Sequence, residues 1–374
     1  MKKLAFYFAA LALFSFSSFG FEWGGKFVNK TDFEGKEISD LELVQNDSIS
    51  LWLTSPLTKD NSLNFAFEAY YGLEYNKESD DLKHTADLNL LKISKNFSAG
   101  ETGTVVLNAG RFGLCDTTGI ILSQKIDGAH AEYFNEDLSV SAFVSYTGLL
   151  NYHTTTIISS RYPEDIKDVY SFCEKYIPFG ATFVYNSLPG SNKITVQALG
   201  FKDLEDDPHD RFYITANGQG FITPVIAYGI STTFGTEDFD NVTNLSVMNV
   251  SAYIKNKAMI SLNGTYASGD TGAFNSFKGF TSQSAYDSLS EPEYTDLIKI
   301  ELNGNYAVTD EGIVSYGAAA VFNSECEYQG FQWKAGTLFN ILDDLKLALN
   351  LGQFYGDDSE TDKTFVNLNV TFNF

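Results

Sequence analysis

From residue 21 onward the sequence repeats one pattern, with apolar side chains at every second position and polar ones between them. Segment 363–374 shows it well: Thr364, Val366, Leu368, Val370, Phe372 and Phe374 share one parity, and Asn367, Asn369, Thr371 and Asn373 the other. Successive side chains of a strand point to opposite faces, so this segment has one apolar face and one face of amides and hydroxyls. Segment 61–75 repeats it, with Leu63, Phe65, Phe67, Ala69, Tyr71, Leu73 and Tyr75 opposed by Asn64, Glu68, Tyr70 and Glu74. About eighteen such segments can be counted, with sixteen the alternative count. No linker or low-complexity stretch divides them, which predicts an all-β fold in one domain spanning 21–374.

A soluble sandwich turns its apolar face inward and its charges outward. The polar face here carries few charges: Ser139, Ser141 and Ser145 on one segment, Ser261, Asn263 and Thr265 on another, Asn303 and Asn305 beside Lys299 and Glu301 on a third. Many apolar runs end in Tyr or Phe, as the belts at two membrane interfaces do. The chain opens with Lys2 and Lys3, an apolar run 4–14, and Ser18, Phe19 and Gly20, which reads as a secretory signal cleaved after Gly20. Beyond Gly20 no run of apolar residues is long enough for a spanning helix. A chain of this kind crosses a membrane only as a closed β-barrel, because every backbone polar group in hydrocarbon needs a partner.

The links between segments support closure. Those after even-numbered segments are short, including 135–136, 218–220, 256 and 308–311; those after odd-numbered segments are mostly longer, including 30–46, 150–178, 203–210, 269–295 and 356–362. Gly218 and Gly220 are read as a tight turn, since Thr223 stands where a phosphate-cradling loop would need glycine. Within link 150–178, Pro163, Glu164 and Asp165 followed by Ile166, Val169, Tyr170 and Cys173 predict a short amphipathic helix that folds into the channel or packs over its rim.

The alternating segment ending on Phe374 resembles the C-terminal signal of Gram-negative-type outer-membrane barrels. That resemblance implies a transmembrane antiparallel up-and-down β-barrel in the outer membrane of a diderm bacterium, surrounded by lipid and inserted by the barrel-assembly machinery. A second element, Gly110-Arg111 ending one segment and Asp127-Gly128 opening the next, resembles porin-type and alginate-export-type barrels, in which such an arginine projects into the pore. Parity alone places Asp127 with Ala129, Ala131 and Tyr133 on the lipid face, so pore-lining by Arg111 and Asp127 requires a bulge or a position above the membrane. The alternative is a structural ion pair that pins two strands.

Acidic residues outnumber basic ones 48 to 25, a net charge of −23, which argues against nucleic acid as a partner. Most acids fall in links: Asp203, Glu205, Asp206, Asp207 and Asp210 in one, Asp238 and Asp240 in the next. They read as an acidic vestibule, without the spacing of a calcium loop. Pore-lining candidates by parity are Glu68, Tyr70, Glu74, Lys299, Glu301, Lys334 and Lys346, a set in which neither sign dominates. His84, His130, His153 and His209 are scattered, with no metal-ligand spacing, and no nucleophile triad or cofactor motif emerges, so neither an enzyme nor a metal or cofactor is expected. Cys115, Cys173 and Cys326 are too few for a disulfide framework. The reading is a porin-like channel for passive diffusion of small hydrophilic solutes, of unknown oligomeric state. The alternatives are a substrate-specific transporter or exporter of the alginate-export or fatty-acid kind, and a surface adhesin using the long acidic loops.

Overall fold

The structure, a computed structural model, describes residues 20–78, 81–158, 168–206, 208–255, 257–270, 274–281 and 294–374. The eighteen expected segments are eighteen strands. They are β1 Glu22–Gly35, β2 Glu42–Pro56, β3 Leu63–Asn76, β4 Asp81–Ala99, β5 Gly103–Cys115, β6 Ser123–Phe134, β7 Leu138–Tyr146, β8 Tyr176–Leu188 and β9 Asn192–Asp203. There follow β10 Arg211–Thr223, β11 Ile226–Glu237, β12 Asn241–Ile254, β13 Ala258–Ala267, β14 Leu297–Ala307, β15 Gly312–Phe322, β16 Tyr328–Leu342, β17 Leu345–Gly356 and β18 Lys363–Asn373. Each pairs antiparallel with its sequence neighbours, and β1 also pairs with β18. No edge strand is left. Phe374 completes the seam, exchanging main-chain hydrogen bonds with Gly25 at 2.8 and 3.0 Å.

Parity holds around the ring. Phe27, Ile49, Leu51, Tyr71, Ile93 and Leu107 are exposed on the outside, whereas Asp32, Ser50 and Asn367 on the opposite parity are buried. Across the seam the Asn367 amide donates to the Asp32 carboxylate inside the barrel. The links fall at two ends, with the termini at the end that carries the short turns. The contrast in length between the ends is smaller than the sequence suggests, because the strands run on: β1 and β2 extend to Gly35 and Glu42, which shrinks the expected link 30–46 to 36–41. A second correction concerns Gly218 and Gly220. Both lie inside β10, paired with Ile230 and Tyr228, and the chain turns at 224–225 instead. Gly220 is needed for close approach, since a Cβ there would sit 2.9 Å from the Cα of Asn192, the first residue of β9. Helical structure among the described residues is limited to three single 3₁₀ turns, Ile38–Asp40, Tyr152–Thr154 and Ser359–Thr361. Of the helix expected from Pro163, residues 163–167 lie outside the described residues; Val169, Tyr170 and Cys173 are not helical, and Phe172 forms a bridge with Asn151.

The ladder breaks in one region. Pairing between β4 and β5 stops at Leu91–Arg111, and pairing between β6 and β7 stops at Asp127–Tyr146. Beyond those rows β5 and β6 pair with each other as far as Cys115–Ser123. Residues 112–126 therefore form a hairpin tip that leaves the wall. The departure begins at a row of two glycines, Gly110 opposite Gly128. Gly110 has φ +116°, and a Cβ on it would lie 2.0 Å from the Leu91 carbonyl oxygen, so no side chain fits at this bend. Gly110→Ala is expected to lower the stability of the detergent-folded barrel by about 3 kcal/mol. Gly100→Ala, at φ +74° with nothing within 4 Å, should cost only about 1 kcal/mol. Urea unfolding followed by the loss of the compact, heat-modifiable gel band separates the two.

Candidate functional site

The hairpin tip turns into the barrel. Its shape is set by one carboxylate: Asp116 accepts hydrogen bonds from the backbone N–H of Thr118 at 2.7 Å, Ile121 at 3.0 Å and Leu122 at 2.8 Å. With its own N–H donating to Leu122 O at 2.8 Å, Asp116 closes the turn without help from the wall. A turn that satisfies its own polar groups can carry apolar side chains into a lumen. Ile121 and Leu122 are fully buried there, beside Phe277 and Phe280 from the link between β13 and β14. The same cluster includes inward residues from the strands between β8 and β18, among them Tyr176, Leu199, Phe201, Tyr213, Leu245, Leu297, Val321, Phe354 and Phe365. Phe201 and Phe280 stack with centroids 4.0 Å apart.

Three links are tied together inside the barrel. Phe280 and Thr281 donate their N–H groups to Ile121 O at 2.9 and 3.0 Å, and Ile158 from the link between β7 and β8 donates to Phe280 O at 3.0 Å. The wall holds the assembly at polar points. Gln197 Oε1 accepts from Thr117 N at 2.9 Å, Arg211 Nη1 donates to Gly279 O at 2.9 Å, and the Tyr213 hydroxyl donates to Lys278 O at 2.6 Å. The result is a plug across the half of the barrel remote from the termini.

Arg111 and Asp127 meet at the root of the hairpin, directly opposite each other above the glycine row. The guanidinium grips Asp127 with both Nε and Nη2, at 2.8 and 2.7 Å. It also donates to Asp87 Oδ1 at 3.1 Å, Leu88 O at 3.2 Å, Leu149 O at 2.7 Å and the Tyr170 hydroxyl at 3.4 Å. Its side chain is 7% exposed and that of Asp87 1%. Arg111 thus stands in the joint where β4, β6 and the link after β7 converge, with its donors directed to that joint. Lys125 adds a second cation to Asp87 at 2.6 Å and reaches Asn89 and Thr154, while the Thr154 hydroxyl also donates to Asp87. Asp87, Lys125, Asn151 and Thr154 were not marked by the sequence reading. Asp87 and Lys125 have no motif of their own, and charge does not single them out, because β4 also carries Asp81, Lys83, Lys92 and Lys95 and β6 carries Asp127 and Glu132.

Of the remaining candidates, Tyr70 and Glu68 border this joint and the others lie apart from it. Glu301 pairs with Lys334 at 3.1 Å and Lys299 at 3.7 Å on the inner wall of β14 and β16. Glu68 accepts from Asn89 at 2.9 Å, and Glu74 lies 3.6 Å from Lys83. Tyr70 is paired with Asp87 across β3 and β4, and Lys346 with Thr371 near the termini end. Three of the vestibule carboxylates are occupied with loop structure. Asp203 accepts from the backbone of Glu205 and His209, Asp210 from Lys202 and the backbone of Asp203, and Asp238 from the backbone of Asp210. Glu205 accepts from Lys175 N at 3.2 Å; Asp206 and Asp240 lie in the same two links, and Asp207 is outside the described residues.

Cys173 lies in the link after β7, buried beside Thr155. Cys115 and Cys326 are exposed. Burial keeps Cys173 out of contact with reagent, so maleimide should label two cysteines of the folded protein and three of the urea-unfolded chain. Mass spectrometry of the labelled chain reads this directly. Removing the guanidinium with Arg111→Ala strands the Asp87 and Asp127 carboxylates, and a loss of about 3–5 kcal/mol is expected. Arg111→Lys should recover little of it, as an ammonium cannot reproduce the paired grip on Asp127. Urea midpoints of the detergent-folded variants measure both.

No protein-family model matches the chain, and no curated protein matches it. Solved structures do. A BenF-like porin from Pseudomonas fluorescens Pf-5 superposes with a TM-score of 0.63 at 10% identity, over 95% of this chain and 98% of that one. The Pseudomonas aeruginosa channel OccK2 (OpdF), solved in complex with glucuronate, gives 0.62 at 12% identity over 94% and 96%. OccAB4 from Acinetobacter baumannii gives 0.59 at 12% identity over 95% and 98%. The likeness extends over nearly the full length of each chain, and at these identities it is a likeness of fold.

Proposed function

We propose that the protein is an outer-membrane channel for small hydrophilic solutes, made selective by its internal plug. Residues 1–20 serve as the secretory signal, the termini face the periplasm and the plugged end faces the outside. The observation that carries this reading is the contrast along the lumen. The outer half is filled by an apolar cluster on three cross-linked loops. The wall nearer the termini is lined by hydroxyls and amides that satisfy one another, including Ser251 with Ser261 and Asn249 with Asn263. An eighteen-stranded barrel is wide enough for an aqueous channel unless loops enter it, so the plug, not the ring, sets the limiting width. That favours the substrate-specific alternative over an open, general pore. It is also in keeping with a neighbour of the same fold that was solved with glucuronate.

Charge supports uncharged or weakly cationic solutes over anions. The inner wall mixes Glu68, Glu74 and Glu301 with Lys299, Lys334 and Lys346, and Glu301 is already neutralised by two lysines. The acids of the vestibule stand further out, where salt screens charges beyond a Debye length of about 8 Å. Planar-bilayer recording on the refolded protein is expected to show a conductance several-fold below that of an open barrel of this strand number, with a weak cation preference that fades as salt rises. Replacing 117–122 by a short glycine linker should raise the conductance several-fold. Folded, inserted protein that conducts nothing, with or without the tip, would refute the channel reading.

A further inference from the structure

The barrel wall is a continuous strand ladder except beside the hairpin that leaves it. Beyond Leu91 the edge of β4 meets no strand among the described residues. Its neighbour is the link after β7. Ala86 N–H donates to Val169 O at 3.4 Å, and the Asn151 amide donates to Ala86 O at 3.0 Å and Val169 O at 3.1 Å. On its other side the link is joined to β8 by Thr147 N–H donating to Tyr176 O at 3.1 Å. Residues 149–154 and 168–173 are thus a panel set into the wall, fastened by scattered bonds and by the ionic joint at Arg111 where neighbouring strands are fastened row by row.

The two sides of the panel differ. Leu149, Val169, Tyr170 and Phe172 are exposed on it, Phe172 at 63%. Directly along the strands from the joint, toward the termini, the outer surface has a groove of about 540 Å³ between Ile93, Leu107, Ala109, Ala129, Ala131 and Val144. It runs along the lipid-facing rows, where small alanines stand between larger neighbours. Inside, Leu150 and Cys173 are buried, and the plug and the polar lumen lie beyond.

We propose that this panel is a lateral door between the lumen and the outer leaflet, and that it passes single-chain amphipathic molecules. The proposal rests on the channel reading and adds a second route to it. Only a molecule that partitions into hydrocarbon reaches the outside of the panel, and its alkyl chain has a seat in the alanine groove. Only a molecule with a polar end gains by moving on into a lumen of amides and hydroxyls. An amphipath meets both conditions, and a purely hydrophilic solute fails the first. Opening needs no strand pair among the described residues to separate, because none of these closes the gap.

A disulfide staple tests the door. In a chain carrying Cys115→Ser, Cys173→Ser and Cys326→Ser, the pair Ala86→Cys and Val169→Cys ties the panel to β4 across their main-chain contact. Two quantities are read on oxidised and reduced protein: protein-dependent uptake of radiolabelled decyl sulfate by proteoliposomes below its micellar concentration, and ion conductance in planar bilayers. Oxidation should lower decyl sulfate uptake at least five-fold while leaving conductance unchanged, and reduction should restore uptake. Ala129→Phe, which fills the groove without touching the panel, should likewise reduce uptake alone, so a staple that fails to form does not end the test. Uptake insensitive to both changes, or no protein-dependent uptake at all, overturns the door. So does conductance that falls in step with uptake, since the panel would then gate the axial path. Protein that takes up decyl sulfate but conducts no ions refutes the channel reading and leaves the door standing.

Discussion

Backbone satisfaction governs this molecule. An open strand edge leaves a row of main-chain donors and acceptors without partners, so in this ring each strand pairs on both sides and the first meets the last. The pairing of β1 with β18 answers that demand for the ring as a whole. The same demand decides what happens when β5 and β6 leave the wall. Their departure exposes the edge of β4, and the chain answers with the link after β7, whose carbonyls and the Asn151 amide take the place of a strand. The guanidinium of Arg111 closes the corner, where six hydrogen bonds converge from β4, β6 and that link. The ion pair is therefore a consequence of topology. Two glycines permit the bend, the bend opens a corner, and the corner needs a group with many donors in a fixed plane.

Inside the ring the hydrophobic effect works against the usual layout of a water-filled barrel. Ile121, Leu122, Phe277 and Phe280 come from links, yet they are among the most deeply buried side chains present. They can enter because inward positions at that level are apolar too: Leu199, Phe201, Leu245, Leu297 and Val321 form a collar that has no counterpart nearer the termini. Collar and plug require each other. Without the plug the collar would expose a broad apolar ring to water, and without the collar the plug would have nothing to bury against.

The ring was legible in the sequence because its signal is periodic and repeated. Each alternating segment is weak, but the number of them, their charge-poor polar faces and the lack of any spanning helix agree, and segments 61–75 and 363–374 coincide with β3 and β18 to within two residues. Turns were less legible, since a glycine such as Gly220 looks the same whether it serves a turn or a close approach. Of the plug, only an entry from link 150–178 is read from the sequence, and as a helix; the parts supplied by 116–122 and 277–281 are not. Ile120, Ile121 and Leu122 form an apolar run inside a link, as do Phe277 and Phe280 around Lys278 and Gly279, and that composition is a readable cue, because a link facing only water has no reason to carry it. The panel beyond it depends on contacts such as that of Asn151 with Ala86, 65 positions apart, which period alone cannot supply.

The seam also bears on how the barrel can form. Asn367 and Asp32 meet across a separation of 335 residues, and Phe374 locks onto Gly25. Local hairpins can zip early, but the ring gains its closing bonds only when the last strand arrives beside the first, and loop-closure entropy makes that the slow and late event. Up to that moment β1 and β18 are open edges with apolar faces, the species most prone to pair with a neighbouring chain. A ring of this kind therefore folds as a unit after its final strand is available, and it spends the interval before closure dependent on whatever keeps its two free edges apart from other chains.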